Sequence, residues 1–161
     1  IANRFSKIGS LPKLKKLNIV AITKKAYNYL EYRSSSQIVF NFKSSDKEIF
    51  SNINEELYSW VIENLIKNSI DAMLGRGELS VHIKSDSKKI YVDISDTGKG
   101  IPKSKFKKIF RPGYTTKKRG WGLGLSLSKR IVEDYHNGKI IVKNSEIDKG
   151  TSIQILLDKI S

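Results

Sequence analysis

Amide and carboxylate side chains share one face of a predicted helix near the middle of the chain. The spacing of apolar residues predicts this helix over residues 57–73, with Asn54 as its N-cap. At about 100° per residue, its apolar stripe continues onto Asn64, Asn68 and Asp71. A buried amide without a partner costs about 1–3 kcal/mol, so this face predicts either a satisfied pair of core asparagines or a bound ligand.

A second chemical signal follows directly after a predicted strand, in the pattern Asp96-x-Gly98-x-Gly100 before Ile101. The two glycines allow positive φ and close approach of the backbone to a ligand. An ionised Asp96 only accepts hydrogen bonds, which suits an exocyclic amine such as N6 of adenine and disfavours the oxo group of guanine. The structural alternative is an ordinary Asp-Gly turn.

Residues 120–125 have the sequence Gly-Trp-Gly-Leu-Gly-Leu and lead into a helix predicted over 123–135. Glycine-opened backbone N–H groups beside a helix N-terminus form a cradle for polyphosphates. No Gly-Lys-Ser/Thr follows, so this is not a Walker sequence. A flexible linker is the alternative, and the interleaved Trp121 and Leu125 argue against it.

Residues 109–119 join these two stretches and mix aromatic, hydroxyl and cationic side chains. As a lid, their Thr115, Thr116 and Lys117 could meet a terminal phosphate. A solvated basic loop is the alternative.

The predicted elements place these motifs in an α+β fold. Helical patterns cover residues 18–32, 54–73 and 123–135, with a further short helix possible at 103–110; strand patterns cover 37–43, 79–84, 89–95, 138–144 and 151–157. Hairpins exclude a purely parallel sheet. We therefore expect a two-layer α/β sandwich, with a mixed sheet of about five strands and helices on one face. A loop as long as 96–122 is typically functional.

Composition limits the function classes. The chain carries 30 Lys and Arg against 16 Asp and Glu, a net charge of +14, which attracts polyanions without choosing among them. Cysteine is absent and only two histidines occur, which excludes disulfides and multi-histidine zinc sites. No apolar run approaches the roughly 20 residues of a membrane span. We expect the sequence, which opens on Ile1, to be a fragment of a longer protein.

Together, these residues resemble a known family. The ordered set is Asn64-xxx-Asn68, Asp96-x-Gly98-x-Gly100, Phe106/Phe110, Gly120-x-Gly122-Leu123-Gly124-Leu125 and Gly150-Thr151. In this order and spacing it is similar to the N, G1, F, G2 and G3 boxes of the ATP-binding catalytic domain of bacterial sensor histidine kinases. That family belongs to the gyrase, heat-shock-chaperone, histidine-kinase and mismatch-repair ATPase superfamily.

The resemblance implies the Bergerat fold, a long ATP lid, and ATP with Mg²⁺ as cofactors. It implies that Asn68 ligates Mg²⁺ with support from Asn64, and that Asp96 accepts from adenine N6 with Thr151 assisting through water. The implied nucleotide contacts are Asn64, Asn68, Asp96, Gly98, Gly100, Ile101, Thr115, Thr116, Lys117, Gly120, Gly122, Leu123, Gly124, Leu125 and Thr151.

Two departures from the family pattern stand out. Many members continue Asn-x-x-Lys-Tyr after the second Asn, where this chain has Asp71 and Ala72, so Lys67, Lys105 or Tyr114 would have to substitute. Hydrolysing relatives carry a water-activating Glu four residues before the metal Asn. Here that position is Asn64, and the neighbouring Glu63 points about 100° away around the helix.

The resemblance also implies partners outside this chain. Residues 1–17 are expected to be a linker from a dimerisation and phosphoacceptor domain, and residues 18–161 the ATP-binding catalytic domain. The resemblance implies that the acceptor His lies on that other domain, and we interpret His82, in a predicted strand, and His136, after the last predicted helix, as structural. We expect a monomeric fragment of a cytoplasmic kinase, from a homodimeric parent that could be anchored in the bacterial inner membrane, with a response regulator receiver domain downstream.

Two alternatives stay open at the level of sequence. One is an ATP-hydrolysing dimeric clamp of the gyrase or mismatch-repair type. The other is a basic nucleic-acid-binding module, suggested by the charge of +14. No recognised nucleic-acid-binding motif is present, so nucleic acid is not an expected partner.

Overall fold

The computed structural model describes residues 11–114 and 124–161. Its strands are β1 (Lys15–Asn18), β2 (Ile38–Ser44), β3 (Phe50–Ile53), β4 (Gly77–Ser85), β5 (Lys89–Asp96), β6 (Lys139–Glu146) and β7 (Gly150–Asp158). Its α-helices are α1 (Ile19–Arg33), α2 (Glu55–Met73) and α3 (Gly124–Arg130). The element order matches the expected order of helices and main strands.

The main sheet has five strands in the order β2-β4-β5-β7-β6. The β2–β4 pair is parallel, and each of the other neighbours is antiparallel. Side chains alternate along β4, so that Leu79, Val81 and Ile83 are buried while His82 is exposed. α1 and α2 pack against each other and against the apolar side of the sheet. The predicted two-layer α+β sandwich with a five-stranded mixed sheet is confirmed.

α2 forms where the sequence predicts it, between identifiable end signals. The Asn54 side chain accepts a hydrogen bond from the Leu57 N–H at 3.0 Å and so caps the first turn. Its inward stripe includes the fully buried Val61 and Ile66. The helix ends at Met73 and is capped by Leu74 in the left-handed conformation, φ 54°, with Gly75 following at φ +89°.

Two short strands were missed by the sequence analysis. β1 and β3 form a separate antiparallel pair in which Lys15 lies opposite Ile53 and Asn18 opposite Phe50. The last residues of the stretch expected to be linker, from Lys15 onward, are therefore built into the fold. Strands of four residues carry too few side chains for alternation to reveal them, and their pairing partners are far apart in sequence.

The segment after β5 differs in detail from the predicted short helix over 103–110. It consists of two 3₁₀ turns, Lys103–Lys105 and Lys108–Phe110, and the second buries Ile109 and Phe110. After the second turn, the next described element is α3, which runs directly into a π-helical turn at Ile131–Tyr135. In the described part of the chain, no helix has both the length and the apolar character needed to cross a bilayer.

Candidate nucleotide site

Asn64 links α2 to the start of α3. Its Nδ2 donates to the Ser128 hydroxyl at 3.0 Å, and that hydroxyl donates in turn to the Gly124 carbonyl at 2.8 Å. A Cβ built on Gly124 would lie 2.7 Å from Asn64 Oδ1, so a larger residue there would require the Asn64 side chain to shift. Ser128 of α3 therefore supplies a hydrogen-bond partner for the Asn64 amide. For this residue, the prediction that an amide on this face needs a partner is met in part by the protein itself.

The polar face of α2 becomes progressively more exposed toward the helix C-terminus. Asn64 and Asn68 are half-buried, one turn apart, whereas Asp71 is exposed. The expectation that Asp71 occupies a buried face is therefore wrong. The last turn of α2 buries Met73 instead, and the loop after β5 packs over Ala72, whose carbonyl accepts the Lys99 N–H at 3.1 Å.

Asp96 is the half-buried carboxylate of the site. It ends β5 directly opposite Thr151 at the start of β7, and its Oδ1 accepts the Gly98 N–H at 2.8 Å. Burial raises the pKa of the Asp96 carboxyl, while hydrogen bonds from the Gly98 N–H, the Ser69 hydroxyl and the Thr151 N–H oppose that shift. The fold therefore holds a partly desolvated acceptor at a strand end.

Gly98 and Gly100 have a packing role in addition to any ligand role. A Cβ on Gly98 would lie 2.6 Å from the Ala72 carbonyl oxygen, which is backbone and cannot move aside cheaply. Gly100 has φ +76°, and a Cβ there would collide with the Glu146 carbonyl. The sequence predicts that both glycines approach a ligand closely; in the structure they also bring the loop against α2 and β6.

Ser145 on β6 connects two predicted site residues. Its hydroxyl accepts the Ile101 N–H at 2.7 Å and lies 2.8 Å from the Thr151 hydroxyl and 3.0 Å from the Gly150 carbonyl oxygen. Thr151 is buried and Ile101 is half-buried. The loop after Gly100 and the start of β7 are thereby joined through one side chain.

The remaining predicted contacts divide into two groups. Gly124 and Leu125 are half-buried at the start of α3, on the Asn64 side of the site. Thr115, Thr116, Lys117, Gly120, Gly122 and Leu123 lie outside the described residues. Of the suggested substitutes for the missing Lys and Tyr, Lys67 and Lys105 are exposed and Tyr114 packs partly buried against the core.

The two histidines differ in their surroundings. His136 is buried; its Nε2 accepts the Asn54 N–H at 3.1 Å, and its Nδ1 lies 2.8 Å from the Ile131 carbonyl oxygen. These two contacts require a neutral ring with the proton on Nδ1, and burial lowers the pKa of the His136 imidazole accordingly. His82 is exposed on the polar side of the sheet.

Sequence reasoning missed three serines that join the site together: Ser69, Ser128 and Ser145. A signal existed for Ser69, because it follows Leu65 and Ile66 on the buried side of α2 and is itself buried. Ser128 and Ser145 could not be found from local patterns, since their partners come from distant parts of the chain.

Comparison with known proteins identifies the family. Residues 53–160 match the histidine kinase-, DNA gyrase B- and HSP90-like ATPase family, over a range that contains α2, Asp96, α3 and Thr151. The chain belongs to this ATPase family. Its resemblance to the histidine kinase branch is borne out by the relatives, and neither the hydrolysing clamp nor the nucleic-acid module is favoured by them.

The curated relatives are sensor kinases that are much longer than this ATPase domain. It is 33% identical over 144 residues to sporulation kinase A of Bacillus subtilis (strain 168), covering 89% of this chain and 23% of that protein. It is 38% identical over 117 residues to the sensor protein kinase WalK of Staphylococcus haemolyticus (strain JCSC1435), covering 68% of this chain and 19% of that protein.

The fold of the ATPase domain agrees with a solved relative. The catalytic domain of the histidine kinase ThkA, in a nucleotide-free form, superposes with a TM-score of 0.83 at 28% identity, over 91% of this chain and 96% of that one. A structure of ThkA in complex with the response regulator protein TrrA superposes with a TM-score of 0.79 at 26% identity, over 91% of this chain and 42% of that one.

The side chains of the ATPase domain suit a metal ion that is coordinated mainly by the phosphates of a bound nucleotide. Among residues 11–114 and 124–161, no group of three or more His, Cys, Asp or Glu side chains is arranged to hold a metal ion. An amide oxygen such as that of Asn68 is a hard donor, and Mg²⁺ usually keeps several waters and binds through one or two protein groups plus phosphate oxygens. The residues present therefore fit Mg²⁺ bound together with a nucleotide.

Proposed function

We propose that this domain binds Mg·ATP and presents the γ-phosphate to a histidine on another domain of its parent protein. The observation that carries the proposal is Asp96, a half-buried acceptor fixed opposite the buried Thr151. An ionised carboxylate in this position accepts from the N6 amine of adenine and faces the oxo group of guanine unfavourably. Membership of the ATPase family supports ATP as the ligand, and the Asp96 carboxylate supports adenine rather than guanine as its base.

We assign the phosphate and metal ends of the nucleotide to α2, α3 and the lid. Asn68 would ligate Mg²⁺ with Asn64 in support, and the bound ion would neutralise phosphate charge. Backbone N–H groups at Gly120, Gly122, Gly124 and Leu125 would hold the phosphates, with lid contacts from Thr115, Thr116 and Lys117. Phosphoryl transfer needs mainly positioning and electrostatic stabilisation, which such a site provides.

The residue four positions before Asn68 favours transfer over hydrolysis. That position is Asn64, and an amide cannot take a proton from an attacking water. The Asn64 Nδ2 is instead directed to the Ser128 hydroxyl at 3.0 Å. A domain with this substitution keeps its γ-phosphate for an acceptor supplied by another domain.

The acceptor and partners follow from the longer relatives. We propose that residues 1–17 connect to a dimerisation domain that carries the acceptor His in a homodimeric parent, and that residues 18–161 are the catalytic domain. ThkA is a relative whose solved complex includes a response regulator protein. We extend that class of partner to the parent of this domain.

Calorimetric titration with Mg·ADP and Mg·GDP tests the proposal. We expect saturable binding of Mg·ADP and at least tenfold weaker binding of Mg·GDP, because the Asp96 carboxylate distinguishes an amine from an oxo group. Asp96→Asn and Asn68→Ala should each weaken Mg·ADP binding without unfolding the domain. Absence of binding, or equal affinity for both nucleotides, would contradict the proposal.

Asp93→Asn is the matched control on the same strand. Asp93 faces the opposite side of the sheet, where Lys143 and Gln154 each donate to it at 2.8 Å. Its substitution should leave nucleotide affinity unchanged. In a separate assay, the isolated domain should not phosphorylate itself, since both of its histidines are placed outside the proposed site.

A further inference from the structure

A β-bulge on β6 turns Ser145 toward the proposed nucleotide site. The register of β6 against β7 shifts between Val142, which pairs with Ile153, and Asn144, which pairs with Ser152. After this shift Ser145 pairs with Thr151, on the same side of the sheet as Val142 and Ile153. Simple alternation from Val142 would have placed Asn144 there instead. Bulges commonly re-aim a side chain beside a functional site.

The Ser145 hydroxyl lies within hydrogen-bond distance of three groups but has only one proton to donate. One lone pair accepts the Ile101 N–H at 2.7 Å. Its single proton can go either to the Gly150 carbonyl oxygen at 3.0 Å or to the Thr151 hydroxyl at 2.8 Å. The choice decides what Thr151 can offer to a ligand.

The two proton arrangements give Thr151 opposite roles. If Ser145 donates to Gly150, Thr151 donates to Ser145 and can only accept from a ligand or its bridging water. If Ser145 donates to Thr151, the Thr151 proton is free to be donated. Adenine presents the acceptor N1 beside the donor N6 amine, so the second arrangement, together with an accepting Asp96, complements adenine and opposes guanine.

We propose that Ser145 is a positioning and specificity-determining residue for the nucleotide base: it orients the Thr151 hydroxyl as a donor and ties the loop at Ile101 to β7. The assignment rests on the proposed adenine site. It adds a residue of β6 that acts through the Thr151 hydroxyl and the Ile101 N–H. The close approach of Gly150 to the Asp96 carbonyl keeps Thr151 and Asp96 adjacent, so the orientation of one hydroxyl bears directly on the base.

A double-mutant cycle on Ser145 and Thr151 tests this role. Ser145→Ala should weaken Mg·ADP binding about five- to tenfold, as expected for the loss of one to two hydrogen bonds, and should lower the preference for ADP over GDP. In a Thr151→Val background, Ser145→Ala should weaken binding by clearly less than it does in the wild type, because the hydroxyl that it orients is gone and only its contact with the Ile101 N–H is left to lose. Ser145→Thr, which keeps the hydroxyl, should bind Mg·ADP with an affinity close to that of the wild type.

Ser152→Ala is the matched control. Ser152 is a buried serine of the neighbouring position on β7, and its hydroxyl accepts from Ser95 at 2.8 Å on the other side of the sheet. It should bind both nucleotides as the wild type does. If Ser145→Ala does not fold, Ser145→Val against Ser145→Thr replaces it, since these near-isosteric side chains differ mainly in the hydroxyl.

The outcomes separate this role from the proposed function. Wild-type-like binding by Ser145→Ala, additive losses with Thr151→Val, or equal loss of ADP and GDP binding would each overturn the role of Ser145 while leaving ATP binding intact. Failure of the wild-type domain to bind Mg·ADP would overturn the proposed function and this assignment together.

Discussion

Asp96 combines partial desolvation with several hydrogen-bond donors, and these effects act on its pKa in opposite directions. Burial has the larger effect and raises the pKa of the carboxyl, while the Gly98 N–H, the Ser69 hydroxyl and the Thr151 N–H oppose it. Because the net effect is a raised pKa, the Asp96 carboxylate becomes protonated at a higher pH than an ordinary aspartate does. The proposed recognition of adenine needs the carboxylate.

Affinity for Mg·ADP should therefore depend on the protonation of Asp96. Above the raised pKa the carboxylate accepts from adenine, and as the pH falls through that pKa the acceptor is lost and binding weakens. The decline should begin at a higher pH than for an aspartate with an ordinary pKa. Calorimetric titrations with Mg·ADP from neutral pH to the acid limit of folding measure it.

Two variants separate Asp96 from the titration of the nucleotide phosphates. Asp93→Asn should keep the acid decline, and Asp96→Asn should retain only the part that belongs to the nucleotide. The folded-state pKa of Asp96 is raised, so its contribution to stability is largest at low pH and diminishes as the pH rises through that pKa. Asp96→Asn should accordingly be no less stable than the wild type at neutral pH. Identical declines of Mg·ADP affinity at acid pH in the wild type and in Asp96→Asn would contradict the proposed role of the carboxylate.

At the residue scale, the sequence identified which side chains could bind a ligand better than it identified their burial and their contacts. Asp96 and the amides of α2 were predictable from residue type and helical spacing. The prediction for Asp71 was wrong because helical periodicity does not show where the elements packed over the helix end. The last turn of α2 buries Met73 instead of Asp71. The Ser128 contact to Asn64 joins residues 64 positions apart, which no local pattern can reveal.

At the element scale, Gly98 controls how closely the loop after β5 approaches α2. Gly98→Ala should destabilise the domain by about 1–3 kcal/mol, because its Cβ would meet the Ala72 carbonyl oxygen at 2.6 Å. The displaced loop should also weaken Mg·ADP binding. Urea unfolding followed by tryptophan fluorescence gives the stability, and calorimetry gives the affinity.

Gly75→Ala is the comparison at the other side of the same junction. Gly75 has φ +89° but open space around its Cβ position, so the substitution should cost only the backbone strain of about 1 kcal/mol. Its nucleotide affinity should match the wild type. Equal stability losses in the two variants would show that the steric contact with Ala72 has no special effect.

Predictability also differed among elements. Strands with several alternating residues, such as β4 and β5, were found with ends within a few residues of those observed. β1 and β3 were missed because each exists only through pairing with the other. The change from α3 to a π turn at Ile131–Tyr135 was also unpredictable, since the His136 ring that contacts the Ile131 carbonyl is held by the Asn54 N–H, 82 positions away.

At the scale of the whole molecule, the positive charge is unevenly distributed along the chain. Eleven lysines and arginines lie between Asp96 and Glu133, and no aspartate or glutamate does. The lysines on and between the two 3₁₀ turns, Lys103, Lys105, Lys107 and Lys108, are exposed. This segment leaves the proposed site directly after Ile101, so its field acts on an anionic nucleotide that approaches the site.

Salt should therefore weaken Mg·ADP binding through this segment in particular. Screening over a Debye length of about 10 Å at 0.1 M salt reduces the attraction of exposed lysines for the nucleotide. Replacing Lys103, Lys105, Lys107 and Lys108 by Gln should lower affinity at low salt and flatten its dependence on KCl concentration. Stopped-flow association with a fluorescent ADP analogue should show the effect mainly in the association rate.

A control with the same net charge separates local field from total charge. The exposed lysines of the control are Lys25 on α1, Lys47 on the turn after β2, Lys84 near the end of β4 and Lys88 in the turn between β4 and β5. Their replacement by Gln removes the same four charges but leaves the segment beside the site intact, so affinity and salt dependence should stay close to wild type. If both quadruple variants lose association rate equally, the net charge of +14 acts as a whole and the segment after Asp96 has no particular role.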